Sequence, residues 1–83
     1  MFVVYALYSP KHQKIYIGYS SNIIERFRSH NELATKGYTL KYRPWKLVYQ
    51  EKHEAKADAM KREKQLKSAK GRESIWNIIL DNY

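Results

Sequence analysis

Three consecutive stretches decide the fold: Val3-Val4-Tyr5-Ala6-Leu7-Tyr8, then Lys14-Ile15-Tyr16-Ile17-Gly18-Tyr19, then Asn22-Ile23-Ile24-Glu25-Arg26-Phe27-Arg28-Ser29-His30. The first two are rich in β-branched and aromatic residues. Ser9-Pro10-Lys11-His12-Gln13 between them carries turn chemistry, so they predict a β-hairpin. Asn22 precedes Ile23, Ile24 and Phe27, which predicts an N-cap opening an amphipathic helix. Pairing Tyr8 with Gln13 leaves a four-residue loop with Pro10 at position i+1 of a type I turn. That register pairs Leu7 with Lys14 and Tyr5 with Tyr16. It puts Tyr5, Tyr16 and Gly18 on one sheet face, and Phe2, Val4, Ala6, Ile15 and Ile17 on the other.

In the helix, Arg26 and His30 lie four residues apart and so share a side, at the border of the stripe Ile23-Phe27-Ala34. Two phenols, a glycine, a guanidinium and an imidazole are thereby brought toward one edge of a small sheet. Arginine matches the charge and planar geometry of a phosphodiester, and an imidazole or phenol can relay a proton.

At these residues the chain resembles the GIY-YIG nuclease family. Tyr16-Ile17-Gly18 is the second half of that signature, and Val3-Val4-Tyr5 stands in place of the first half, without its leading glycine. The spacing from Tyr5 to Tyr16, Arg26, His30 and Glu63 also fits. The resemblance runs over nearly all of the chain and is nearest to the small stand-alone YhbQ-like branch, with Pro44-Trp45 before the third strand. It implies a metal-dependent endonuclease that hydrolyses phosphodiester bonds, DNA before RNA, leaving a 3′-hydroxyl and a 5′-phosphate. Tyr5, Tyr16, Arg26 and His30 take the catalytic positions, with the roles of the two tyrosines interchangeable. Glu63 takes the metal position for one Mg²⁺ or Mn²⁺ ion. Gly18, Lys67 and Asn77 are assigned to substrate binding, Gly18 because the missing Cβ lets substrate approach the backbone.

Composition agrees with one small domain spanning residues 1–83. The chain has 43% hydrophobic residues, eight tyrosines and no cysteine, so disulfides and thiolate metal sites are excluded. A net charge of +8 points to an anionic partner, nucleic acid before membrane. Residues 1–42 carry six Lys/Arg against two acids and residues 43–83 carry ten against six, so each half holds +4. The basic surface is therefore spread and not a tail. With no basic leader before the first strand and no membrane-length apolar run, a cytoplasmic protein is expected. From an end at Tyr83 without a second DNA-binding module, weak cleavage, recognition of nucleic-acid structure or reliance on a recruiting protein partner is expected.

Downstream, residues 36–44 read as a loop with Gly37 as a helix stop. Its Tyr38 and Tyr42 either sit beside a phosphate backbone with Lys36, Lys41 and Arg43 or pin the loop to the core. Trp45–Glu51 reads as a third strand with Trp45, Leu47 and Tyr49 on one face. A helix follows from His53 or Glu54 to about Lys70, with Ala55, Ala59 and Leu66 as its apolar stripe and Gly71 as its end. Ile75, Trp76, Ile78, Ile79 and Leu80 form a last, core-capping helix. The expected architecture is α+β, a three-stranded antiparallel sheet flanked by helices in the order ββαβαα. Glu63 either faces the two phenols or pairs with Lys67 on a solvated face, and Arg26 either meets phosphate or bridges Glu63. The rival function is a catalytically silent nucleic-acid-binding module of the same fold.

Overall fold

The computed structural model describes residues 1–33 and 38–82, without the side chains at 32, 33, 38 and 39. The expectations placed on Ala34, Lys36, Gly37 and the Tyr38 side chain lie outside the described residues. Strands β1 (Phe2–Ser9) and β2 (Lys14–Ser20) form the hairpin, and β3 (Lys46–His53) joins the other side of β1. All pairing is antiparallel, in the order β2-β1-β3. The helices are α1 (Ile23–Arg28), the short α2 (Tyr38–Lys41), α3 (Lys56–Lys67) and α4 (Ala69–Asn82). The α+β order ββαβαα is thus observed, with α2 a single turn inside the segment read as a loop.

The hairpin register differs from the expected one by two residues. Ser9 pairs with Lys14, Leu7 with Tyr16 and Tyr5 with Gly18. Gln13 explains the shift. It adopts a positive φ of 56°, its N–H donates to the Ser9 carbonyl at 2.8 Å, and its side-chain amide donates to Tyr8 Oη and the Pro10 carbonyl. The loop therefore comprises residues 10–13. A two-residue slip leaves every side chain on its expected face, because strand side chains alternate with period two.

Each face of the sheet buries its own core. Val4, Ala6, Tyr8, Ile15 and Ile17 pack against Ala59 and Leu66 of α3 and Ile75 and Ile79 of α4. Val3, Tyr5, Leu7 and Trp45 pack on the other face with Ile23 and Phe27 of α1. A β-bulge corrects the reading of β3: Ala6 pairs with Tyr49 but Leu7 pairs with Leu47. The extra residue, Val48, moves Tyr49 to the α3 side while Trp45 and Leu47 stay on the α1 side.

The two C-terminal helices also differ from expectation. His53 ends β3, and Ala55 is an exposed N-cap outside α3, so the buried stripe reduces to Ala59 and Leu66. The helix break falls at Ser68 and not at Gly71. The Ser68 hydroxyl donates to the Gln65 carbonyl and accepts from the Gly71 N–H, closing α3 and opening α4 with one side chain. Gly71 lies inside α4, where a Cβ would come 2.3 Å from the Gln65 carbonyl oxygen and 2.5 Å from Leu66 Cα. Its absence of side chain lets the two helices meet at a tight corner. Leu80 is 77% exposed and does not cap the core. Across the sheet from α1, Glu51 of β3 accepts hydrogen bonds from Arg62 of α3 at 3.0 and 3.1 Å and from the Tyr49 hydroxyl, and contacts His53 Nε2 at 2.6 Å.

Candidate active site

Helix α1 begins as its sequence dictates. Asn22 is extended, and its side-chain oxygen accepts from the Glu25 N–H at 3.2 Å. After Arg28 the chain continues as a π-helical turn over Ser29–Leu33. Such wider turns are rare and re-aim the side chains they carry. Here His30 is driven into the protein, only 7% exposed, and its Nε2 lies 2.9 Å from the Tyr5 hydroxyl. Asn31, the next residue, clamps the entry to β3. Its amide oxygen accepts from the Trp45 N–H at 2.6 Å and its amide nitrogen donates to the Trp45 carbonyl at 3.1 Å. Arg43 Nε donates to the His30 carbonyl at 2.9 Å. The backbone that carries the imidazole is thus tied down at two consecutive residues.

Tyr5 sits at the centre of the cluster. Its ring stacks on Tyr16 at a centroid distance of 6.4 Å, and the His30 ring lies 4.7 Å from that of Tyr16. A Cβ on Gly18 would meet Tyr5 Oη at 2.7 Å and Tyr16 Cε1 at 3.2 Å. The space expected to admit substrate at Gly18 is therefore filled by the protein's own phenols.

The Arg26 guanidinium donates toward the same Tyr5 hydroxyl, and the Glu63 carboxylate is near enough to act on it electrostatically. Burial, reinforced by Tyr16, pushes the Tyr5 phenol up to about 12 despite Arg26. Burial and then the Arg26 charge push His30 below its usual value, so the imidazole is neutral at pH 7. If the Tyr5 hydroxyl donates in its contact with His30, the neutral imidazole accepts at Nε2 and carries its own proton on Nδ1.

Glu63 reaches this cluster from α3, in the opposite layer. Its side chain is 20% exposed and Lys67 Nζ stands 3.4 Å from its carboxylate. The expected pair with Lys67 is present, on a carboxylate that is mostly buried and not on a solvated face. Lys67, a turn further on, lines a cleft with Tyr16 at the outer edge of β2. Among the described residues, no three His, Asp or Glu side chains gather as a ligand set. A cation at Glu63 would take one carboxylate from the protein and its remaining oxygens from water and phosphate. That donor set suits a hard divalent cation. Asn77 lies exposed on α4, and no contact among the described residues joins it to the cluster. Tyr42 packs against the α1-side core while Lys14 and Lys41 hold their ammonium groups 5.5 and 5.4 Å from its ring centroid. Of the two expectations for Tyr42, the structure shows the pinning of its segment to the core.

A family model described as the GIY-YIG catalytic domain matches residues 1–76. The chain belongs to the GIY-YIG family. Among curated GIY-YIG relatives, the UPF0213 protein SH2523 of Staphylococcus haemolyticus is 40% identical over 58 residues, covering 70% of this chain and 71% of the relative. A UPF0213 protein of Staphylococcus aureus strain Mu3 is 41% identical over 54 residues, covering 65% and 66%. These are small stand-alone members of the GIY-YIG group, and the fold is of the nuclease type. No solved structure matches. No helix among the described residues is long and apolar enough to cross a membrane.

Asn31 and Arg72 escape the sequence reading, which gives Arg43 only a place beside a phosphate backbone. Asn31 and Arg43 act on backbone atoms of residues a dozen positions away, which leaves no periodic signal. Arg72 reaches the Tyr16 cleft only because of the corner at Ser68.

Proposed function

We propose that this chain is a metal-dependent endonuclease of the cytoplasm that hydrolyses phosphodiester bonds in nucleic acid, DNA before RNA. The observation that carries the reading is the Tyr5–His30 hydrogen bond, with Arg26, Tyr16 and Glu63 grouped around it. Arg26 neutralises charge growing on a non-bridging phosphate oxygen. Tyr16 borders the open cleft and takes the proton of the attacking water. Tyr5 is the poorer base, because burial holds its proton up to about pH 12. It serves instead as a fixed neutral donor, locked between Arg26 and the neutral His30, and keeps Tyr16 in place by stacking. Glu63 is the carboxylate that would hold a divalent ion, which when bound supplies charge neutralisation at the scissile phosphate. Lys67 belongs to the substrate side of this arrangement, and Gly18 serves it by leaving room for the Tyr5 phenol.

The test is cleavage of branched, flapped and single-stranded DNA, and of the same RNA strands, with and without Mg²⁺ or Mn²⁺. Cleavage that requires the ion, falls at least about 100-fold in both Glu63→Ala and Tyr16→Phe, and leaves binding intact in these variants is the expected result. Cleavage that survives Glu63→Ala defeats the proposal. Binding without cleavage in any ion returns the silent module.

A further inference from the structure

The cleft at the outer edge of β2 is lined by Ile15, Tyr16, Ile17, Lys67 and Arg72 and encloses about 260 Å³. Its two cations come from different helices. Lys67 closes α3 and Arg72 begins the second turn of α4, and only the Ser68 cap and the bare Gly71 backbone bring those ends together. Lys67 already has a partner in Glu63 at 3.4 Å. Arg72 is exposed, and its side chain has no hydrogen bond or ion pair among the described residues. A guanidinium lining a cleft with Tyr16, Ile15 and Ile17 is suited to a phosphate oxygen, because its planar fork gives two parallel hydrogen bonds.

We infer that Arg72, backed by Lys67, forms a second phosphate subsite, which holds a phosphate next to the scissile one on the same nucleic-acid strand. The inference rests on the nuclease reading for its naming of the scissile phosphate, and on the cleft alone for the contact itself. Arg26 and Arg72 then grip the strand on either side of Tyr16, Arg26 from the α1 layer and Arg72 from the α4 layer. Arg72 is a positioning residue: it sets where the strand lies along β2 and takes no part in bond breaking. A polynucleotide therefore binds through it, whereas the chemistry at Tyr16 proceeds without it.

The experiment measures binding of a fluorescent single-stranded DNA oligonucleotide without metal, as a function of salt, for the full chain, Arg72→Gln, Arg72→Lys and Lys52→Gln. Lys52 is an exposed cation on β3, at the opposite edge of the sheet, and serves as the charge control. Loss of one phosphate contact lowers the slope of log K against log salt by roughly 0.7 for a single strand, and affinity by about tenfold. Arg72→Gln is expected to show both losses, Arg72→Lys to recover most of the slope, and Lys52→Gln to change neither. In cleavage, Arg72→Gln is expected to raise KM about tenfold with kcat nearly unchanged. Equal effects of Arg72→Gln and Lys52→Gln would show diffuse charge and overturn the subsite, as would an unchanged slope in Arg72→Gln or no binding by the full chain. Binding that depends on Arg72 without any cleavage would defeat the nuclease reading and leave the subsite standing.

Discussion

A methyl group placed on Gly18 would lie 2.7 Å from the Tyr5 hydroxyl oxygen and 3.0 Å from Tyr5 Cζ, inside the limit that carbon atoms respect. The phenol must give way, and its hydrogen bond to His30 is the first thing lost. Displacements of about 1 Å in a catalytic group cost on the order of 100-fold in rate, whereas overpacking costs about 1–3 kcal/mol in stability. Gly18→Ala is therefore expected to fold, to melt at a lower temperature, and to lose about two orders of magnitude in cleavage. Cleavage at the wild-type rate would show that the Tyr5 position is irrelevant to chemistry. The residue types of this cluster were legible in the sequence because hairpin faces follow from period-two alternation, which survives a two-residue slip. The role of Gly18 was not, since it depends on which side chain fills the space above it. Sequence spacing likewise placed Arg26 and His30 on one side of a helix, but only the π turn shows how the imidazole reaches the Tyr5 oxygen.

At the scale of elements, strands and helix faces were readable and their irregularities were not. The alternation in Trp45, Leu47 and Tyr49 predicts one face, yet the bulge at Val48 divides them between two cores. The run from His53 or Glu54 to about Lys70 predicts one helix, yet Ser68 caps both ends of a corner inside it. Bulges and corners are set by long-range packing, which local propensity does not encode. Gly71 offers a test in which two local effects have opposite signs. Replacing a helix-interior glycine by alanine ordinarily stabilises by about 1 kcal/mol. At Gly71 the new Cβ would meet the Gln65 carbonyl oxygen at 2.3 Å, and backbone cannot move aside as a flexible side chain can. Overpacking of about 3 kcal/mol or more outweighs the propensity gain. Urea denaturation of Gly71→Ala is expected to show a net loss of roughly 2 kcal/mol or more. A gain would mean that the two helices do not meet closely at this corner.

For the whole molecule, the charge that first suggested a nucleic-acid partner belongs to no single element, and the buried titratable groups tie stability to pH on both sides of neutrality. Stability rises with pH wherever the unfolded chain binds more protons than the folded one. His30 is held below its ordinary 6.5 by burial and by Arg26, so the unfolded chain takes up that proton first. Its contribution is present above about pH 6.5 and is lost as pH falls below it. Burial would raise Glu51, but hydrogen bonds from Tyr49, Arg62 and His53 outweigh it and hold the carboxyl below its ordinary 4.5. That contribution too is lost on acidification, lower on the scale. Tyr5 acts oppositely: unfolded phenols ionise near 10, whereas Tyr5 keeps its proton to about 12, so stability falls as pH rises across that interval. The stability optimum is expected between about pH 7 and 10, with the first acid step assigned to His30. Urea midpoints of wild type and His30→Gln separate the terms. Glutamine has no proton to gain, so the difference between the two proteins should shrink as pH drops from 7 toward 5 and stay constant from 7 to 9. A difference that holds the same value from pH 5 to 9 would mean that His30 titrates alike in the folded and unfolded chains. The imidazole would then not be the buried, neutral partner that fixes Tyr5.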